Sequence, residues 1–327
     1  MKKRVLALLL ALVMTAGLVS AAAYADDAPM TVALVVADKF GDRSFYDSSK
    51  EGCDMLAEDF GIELRPIECN GENHTAQIRN AADAADVVVC VGWEFYDIET
   101  VAPEYPDVKF IWIDNATSAP VENVLNITYA QNEGSFLAGY IAAAMSESGV
   151  VGAVGGEDAD TINDFIVGYE QGAKYYDENT EVVHNYANTY TDPAVGKECA
   201  IALNDQGADV IFQIASATGD GVFEAAAEKG FYAIGVDSDQ KYIDEDVIIC
   251  SMKKEVGQSI YAAVSELIGG DDSRWGGTWI ADMSTGYIGI GYGEEGSAQQ
   301  IPDELKEQVA DIAEAIISGE ITVDTTR

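Results

Sequence analysis

Short apolar runs alternate along this chain with longer stretches whose apolar residues recur every three or four positions. The first kind predicts buried strands and the second amphipathic helices. Early in the chain the runs at 31–37, 63–67, 86–92, 109–114 and 124–129 are expected strands. Expected helices lie over 44–60, 75–83, 96–102 and 133–146. The rhythm then restarts. Strands are expected at 150–154, 182–186, 210–214, 232–236 and 247–250, with helices over 161–176, 193–205, 221–229 and 254–268. Such alternation predicts a parallel sheet with helices on both faces. Its restart near residue 130 predicts two of them. The expected fold is therefore α/β, with two doubly wound parallel-sheet lobes and a hinge near 129–133. Residues 26–129 plus 254–282 are expected in one lobe, and 130–253 plus 283–327 in the other.

In an open parallel sheet, ligands bind outside the carboxyl ends of the strands. Two lobes facing each other along those edges enclose a cleft, so the residues ending each run are the candidates. The first run ends at Asp38, followed by Asp42, Ser44 and Phe45. Asp42 suits either a helix cap or a ligand contact. The third run ends at Gly92-Trp93 and the fourth at Asp114. In the second half, Tyr190 stands just ahead of Asp192-Pro193, an N-cap followed by a first-turn proline. The run 232–236 ends in Asp237-Ser238-Asp239, and the next ends in Ser251-Met252-Lys253-Lys254. A carboxylate accepts and an ammonium donates, so Asp237 and a lysine together suit adjacent hydroxyls. Aromatic faces stack on a planar base. Carboxylates and aromatics at one sheet edge fit a molecule with a flat base and a hydroxyl-rich sugar.

The ends and the composition narrow the setting. Lys2-Lys3-Arg4, an apolar run from Val5 to Val19, and Ala23-Tyr24-Ala25 read as a signal peptide over 1–25. No Cys follows that run, so no lipid-attachment site is read, and export to the cell surface or periplasm is expected. Lys and Arg number 18 against 57 acidic residues, a net charge of −39. Residues 1–25 carry three of the basic residues and no acid, which leaves about −42 without them. Acidity on that scale argues against nucleic acid or an anionic membrane as partner. The five cysteines are irregularly spaced and read as small buried hydrophobes, with one disulfide such as Cys53–Cys69 left open. His74 and His184 are far apart, no G-x-S-x-G elbow occurs, and Gly155-Gly156 is not followed by the Lys-Ser/Thr of a phosphate loop. No cofactor, metal or catalytic residue is expected. The enzyme alternative is a nucleoside hydrolase using a cation on Asp237 and Asp239.

Several segments resemble the basic membrane protein family of ABC-transporter substrate-binding proteins, which includes the bacterial purine nucleoside receptors. They are 42–45 (Asp-Arg-Ser-Phe), 129–139 (Tyr-Ala-Gln-Asn-Glu-Gly-Ser-Phe-Leu-Ala-Gly), 192–197, 207–212, 235–240 (Gly-Val-Asp-Ser-Asp-Gln) and 251–254. The resemblance implies a type I periplasmic-binding-protein fold that hands a nucleoside, with a purine expected, to a membrane permease. It implies that Phe45 and Tyr190 sandwich the base and that Asp38 and Asp114 meet it. Asp237 and Lys254, with Lys253 as the near alternative, would meet the ribose. Ser216 to Gly219 matches a cleft loop. The chain departs from the pattern in several places. Tyr46 replaces an Asn, Tyr190 a Phe and Ser216-Ala217 glycines, the loop from Asp38 to Phe45 is short, and the lipidated Cys is missing. A monomeric receptor without an enzymatic step is expected. A sugar or other small polar solute, or a solute-sensing role, fits the same scaffold.

Overall fold

The computed structural model describes residues 29–325. The expected signal peptide lies outside the described residues. The first sheet has the order β11-β5-β4-β3-β1-β2 and every pairing in it is parallel. Its strands are β1 (Thr31–Val36), β2 (Glu63–Glu68), β3 (Val87–Val91), β4 (Lys109–Ile113), β5 (Val124–Tyr129) and β11 (Thr278–Ala281). The second sheet runs β12-β10-β9-β8-β6-β7. It contains β6 (Val150–Gly155), β7 (Glu181–Tyr186), β8 (Val210–Ile214), β9 (Tyr232–Asp237), β10 (Ile248–Lys254) and β12 (Ile288–Gly291). Only β12 is antiparallel, to β10. The two expected doubly wound sheets are thus present.

The burial of each strand follows its place in the sheet. All five residues of β3 are buried, as a strand covered by helices on both faces must be. β2 is an edge strand, mostly exposed, and carries Pro66, which a central strand would not tolerate. Helices α1 (Phe45–Phe60), α2 (His74–Ala82), α3 (Ile98–Val101) and α8 (Val256–Ile268) cover the first sheet. Helices α4 (Gln131–Met145), α5 (Asp160–Tyr176), α6 (Pro193–Asn204), α7 (Asp220–Lys229) and α9 (Asp303–Ile317) belong to the second half. α1 packs on α8, and α4 packs on α5.

The chain passes between the sheets three times: from β5 into α4, from β10 into α8, and from β11 to β12. The last two short strands and α9 fall outside the sequence reading, because a four-residue strand rich in Gly or Trp carries no clear alternation. β10 is longer than expected. Lys253 and Lys254 are its final residues, so Lys254 belongs to the second sheet and not to the first lobe's returning segment. No disulfide forms among the described residues; all five cysteines are free and Cys199 alone is not fully buried.

Candidate functional site

The carboxyl ends of the two sheets face one cleft. On the first lobe's side, Phe45 opens α1, Trp93 and Glu94 follow β3, and Asp114 follows β4. On the other side, Phe165 comes from α5, Tyr190 from the loop ahead of α6, and Ser216 from the turn after β8; Asp237 and Lys254 end β9 and β10. The cleft holds about 660 Å³ of empty space, mouth included. Side chains of the two lobes meet directly across it, Lys254 with Asp114, Asp237 with Ser44 and Ser216 with Asp42, which marks a closed arrangement of the lobes.

At the polar end, Lys254 Nζ lies 2.5 Å from Asp114 Oδ2. The Lys254 side chain is only 2% exposed, and its ammonium stands 5.0 Å from the Phe45 ring, 4.9 Å from Tyr129 and 5.4 Å from Phe165. A desolvated ammonium is stabilised by ring faces as well as by the carboxylate. Lys253 turns away and pairs with Glu255, so the lysine that reaches the cleft is Lys254. Beside it, Asp237 accepts a 2.5 Å hydrogen bond from Ser44 Oγ. Burial pushes the Asp237 carboxyl up to about 6, although Lys254 and Ser44 both pull it down. Asp164, on α5 behind the slot, is likewise raised by burial to about 6 and accepts a hydrogen bond from Gln131.

Backbone strain gathers at the cleft. Among the described residues, seven non-glycine residues take positive φ, and four stand here: Arg43 (52°), Asp114 (71°), Ser216 (50°) and Asp237 (62°). Such conformations cost free energy and persist only where the surroundings over-determine them. At Asp114 and Asp237 the effect is to turn the side chain away from the line of its strand and toward the facing lobe.

Seven of the nine residues singled out from the sequence line this slot: Phe45, Trp93, Asp114, Tyr190, Ser216, Asp237 and Lys254. Asp38 and Asp42 do not. Asp42 caps α1, accepting from the backbone N–H groups of Ser44, Tyr46 and Asp47. It also accepts from Ser216 Oγ at 2.9 Å, so the same carboxylate ties the two lobes together. Gln240 Nε2 donates to the Arg43 carbonyl, and Arg43 pairs with Asp220, both across the same boundary. Asp38 lies two residues past the end of β1, where its carbonyl accepts from the backbone N–H of Asn70, just past the end of β2.

Among the lining residues that the strand-end argument does not single out, Phe165, Tyr46 and Glu94 matter most. Phe165 sits in α5 at helical spacing with Tyr169 and reads as core. Tyr46, which the sequence marks only as a departure from the family pattern, lines the slot beside Phe45. Glu94 looks like any exposed acid, yet its Oε2 is buried without a partner. One sequence feature gains a reason here. A Cβ on Gly156 would lie 1.9 Å from the Tyr190 ring, so the glycine after β6 makes room for that ring against the slot wall.

The family described as ABC transporter substrate-binding protein, PnrA-like (Bmp), matches residues 30–327. The chain belongs to this family. Basic membrane protein A2 of Borrelia garinii subsp. bavariensis is 31% identical over 298 residues, covering 89% of this chain and 87% of that protein. Basic membrane protein A of Borreliella burgdorferi is 30% identical over 302 residues, covering 90% and 88%. The solute-binding protein of an ABC transporter system from Aeropyrum pernix K1 superposes with a TM-score of 0.81 at 27% identity, covering 91% of this chain and 94% of that one. A transcriptional activator of the comK gene from Bacillus halodurans shares the fold, with a TM-score of 0.75 at 20% identity over 90% of this chain and all of that one. As a Bmp-family protein, the chain is a substrate-binding protein of the ABC-transporter type with the periplasmic-binding-protein fold. No helix among the described residues is long and apolar enough to cross a membrane. No group of three or more His, Cys, Asp or Glu side chains among them is placed to hold a metal ion.

Proposed function

We propose that this protein is the exported receptor of an ABC importer and binds a nucleoside, with a purine preferred, between its two lobes. The observation that carries this reading is the division of the slot. Its aromatic walls come from both lobes, Phe45 from one and Phe165 and Tyr190 from the other, while Asp114, Asp237 and Lys254 meet at one end. A flat base stacks between apolar ring faces, and ribose hydroxyls donate to carboxylates and accept from an ammonium.

Binding requires no chemical step. Ligand contacts from both lobes favour the closed form over the open one, and that differential is what a permease reads. The inter-lobe bonds of Asp42 with Ser216 and of Ser44 with Asp237 would form on closure and help hold it. A dissociation constant on the order of micromolar or tighter is expected, roughly −8 kcal/mol or beyond.

The test is calorimetric titration of protein that has been unfolded and refolded to strip carried ligand. The panel is adenosine, guanosine, inosine, cytidine, uridine, free adenine and ribose. Tight binding of nucleosides, with weak binding of free adenine and ribose, supports the reading. Silence across the panel from folded protein sinks it.

A further inference from the structure

We propose that Glu94 reads the polar edge of the bound base and sets the choice between guanine-like and adenine-like nucleosides. The proposal rests on the nucleoside reading above and adds a residue to it. Glu94 lines the slot directly after the end of β3, beside Trp93. Its position is built. Gly92 takes φ 129°, and a Cβ there would fall 2.3 Å from Glu94 Oε2, so the carboxyl group lies over the glycine in space that any other residue would fill. That Oε2 is buried and has no hydrogen-bond partner in the protein. Buried carboxyl oxygens are rarely left so, because an unmade hydrogen bond costs the desolvation of the group. A ligand edge is the partner the slot can supply.

The groups facing Glu94 from the surrounding elements are mostly acidic or phenolic. Glu157 comes from the loop after β6, Asp114 from the end of β4 and Asp38 from the end of β1. Tyr46 on α1 and Tyr190 ahead of α6 complete the surround. Lys254 is the one cation among the described lining residues, and it is engaged by Asp114. Burial, opposed by the residue's own backbone N–H and reinforced by the acids, pushes the Glu94 carboxyl up to about 7.

The protonation state then decides which edge fits. An ionised carboxylate only accepts. It matches the guanine edge, where the ring N1–H and the exocyclic amino group both donate. A protonated carboxyl donates from one oxygen and accepts at the other. It matches adenine, whose N1 accepts while its exocyclic amino group donates, and it gives up one of the two contacts to the guanine N1–H and amino pair. Asp237 titrates in the same range, but it is bonded to Ser44 and stands near Lys254, where the nucleoside reading places the ribose. Its effect falls equally on two nucleosides that share a ribose. The ratio of their affinities therefore isolates the base edge.

The experiment is calorimetric titration of guanosine and adenosine at about pH 5.5 and about pH 8, on wild type and Glu94→Gln, the two values bracketing the carboxyl's range. In wild type, the guanosine-to-adenosine affinity ratio is expected to rise by about tenfold or more between the two pH values, the scale of one mismatched polar contact. In Glu94→Gln, whose amide both donates and accepts at every pH, the ratio is expected to lie below the wild-type value at pH 8 and to stay flat. A wild-type ratio that does not move with pH overturns the proposal, and this arm needs no variant to fold. So does a pH-dependent ratio that survives in Glu94→Gln. If wild type binds no nucleoside at either pH, the nucleoside reading itself falls. Binding with an unmoved ratio removes only Glu94.

Discussion

Lys254 and Asp114 stand at the ends of strands in different sheets, and they meet across the cleft at 2.5 Å. The pair is both a candidate ligand contact and a latch between lobes. Removing one member of a buried pair leaves the other charge uncompensated, which costs roughly 3–5 kcal/mol. Lys254→Met is therefore expected to lower stability by that order in denaturant titration and to enlarge the radius of gyration of ligand-free protein in small-angle scattering. Unchanged stability and shape would show that the pair does not hold the lobes.

Asp237 is the strand-end carboxylate that the proposed function assigns to the ribose. Asp237→Ala would leave hydroxyls unpaired in a dry slot. Nucleoside affinity is expected to fall by about 2–4 kcal/mol, read by calorimetry. Affinity equal to wild type would remove Asp237 from the contact.

The Tyr190 ring has its place because Gly156 has no side chain. Tyr190→Ala should weaken nucleoside binding by roughly 1–3 kcal/mol, the usual scale of base stacking on an aromatic. Tyr190→Phe keeps the ring face and should lose little. Gly156→Val displaces the ring without deleting it and should resemble Tyr190→Ala in affinity. If Gly156→Val bound nucleosides normally, stacking on Tyr190 would not be part of recognition.

Glu94 also predicts how stability depends on pH. Burial holds its carboxyl near 7, above the ordinary Glu value of 4.5. The folded state thus binds the proton more tightly than the unfolded chain does. The associated stability is present in full below about pH 4.5 and is lost as pH rises through 7. Glu94→Gln has no proton to lose. Its melting temperature without ligand should exceed that of wild type at pH 8 and match it near pH 4.5. The difference is at most about 3 kcal/mol. Parallel melting curves at both pH values would count against a buried, titrating Glu94.

Much of the fold is legible in the chain because burial in a parallel sheet writes itself as apolar runs. β1, β3 and β4 are buried on both faces and read plainly. β11 and β12 are four residues each, partly exposed, and leave no such trace. The strand-end rule found Asp114, Asp237 and Lys254 because topology alone puts strand ends at the cleft. Asp42, open from the sequence between a helix cap and a ligand contact, has its carboxylate taken up by the first turn of α1 and by Ser216. Local sequence cannot weigh those competing partners.

The sequence by itself determined the two-sheet alternation, the edge on which the cleft opens, and the aromatic and charged residues brought to that edge. Those follow from periodicity and chain direction, which are local properties. Only the tertiary structure decided which lysine enters the cleft, where Tyr190 finds room, that Phe165, packed in the core, also borders the slot, and that Glu94 is buried with an unmatched oxygen. Each of these depends on atoms more than fifty residues apart in the chain, or on the absence of a side chain across the gap, and neither leaves a mark on the local pattern of polar and apolar positions.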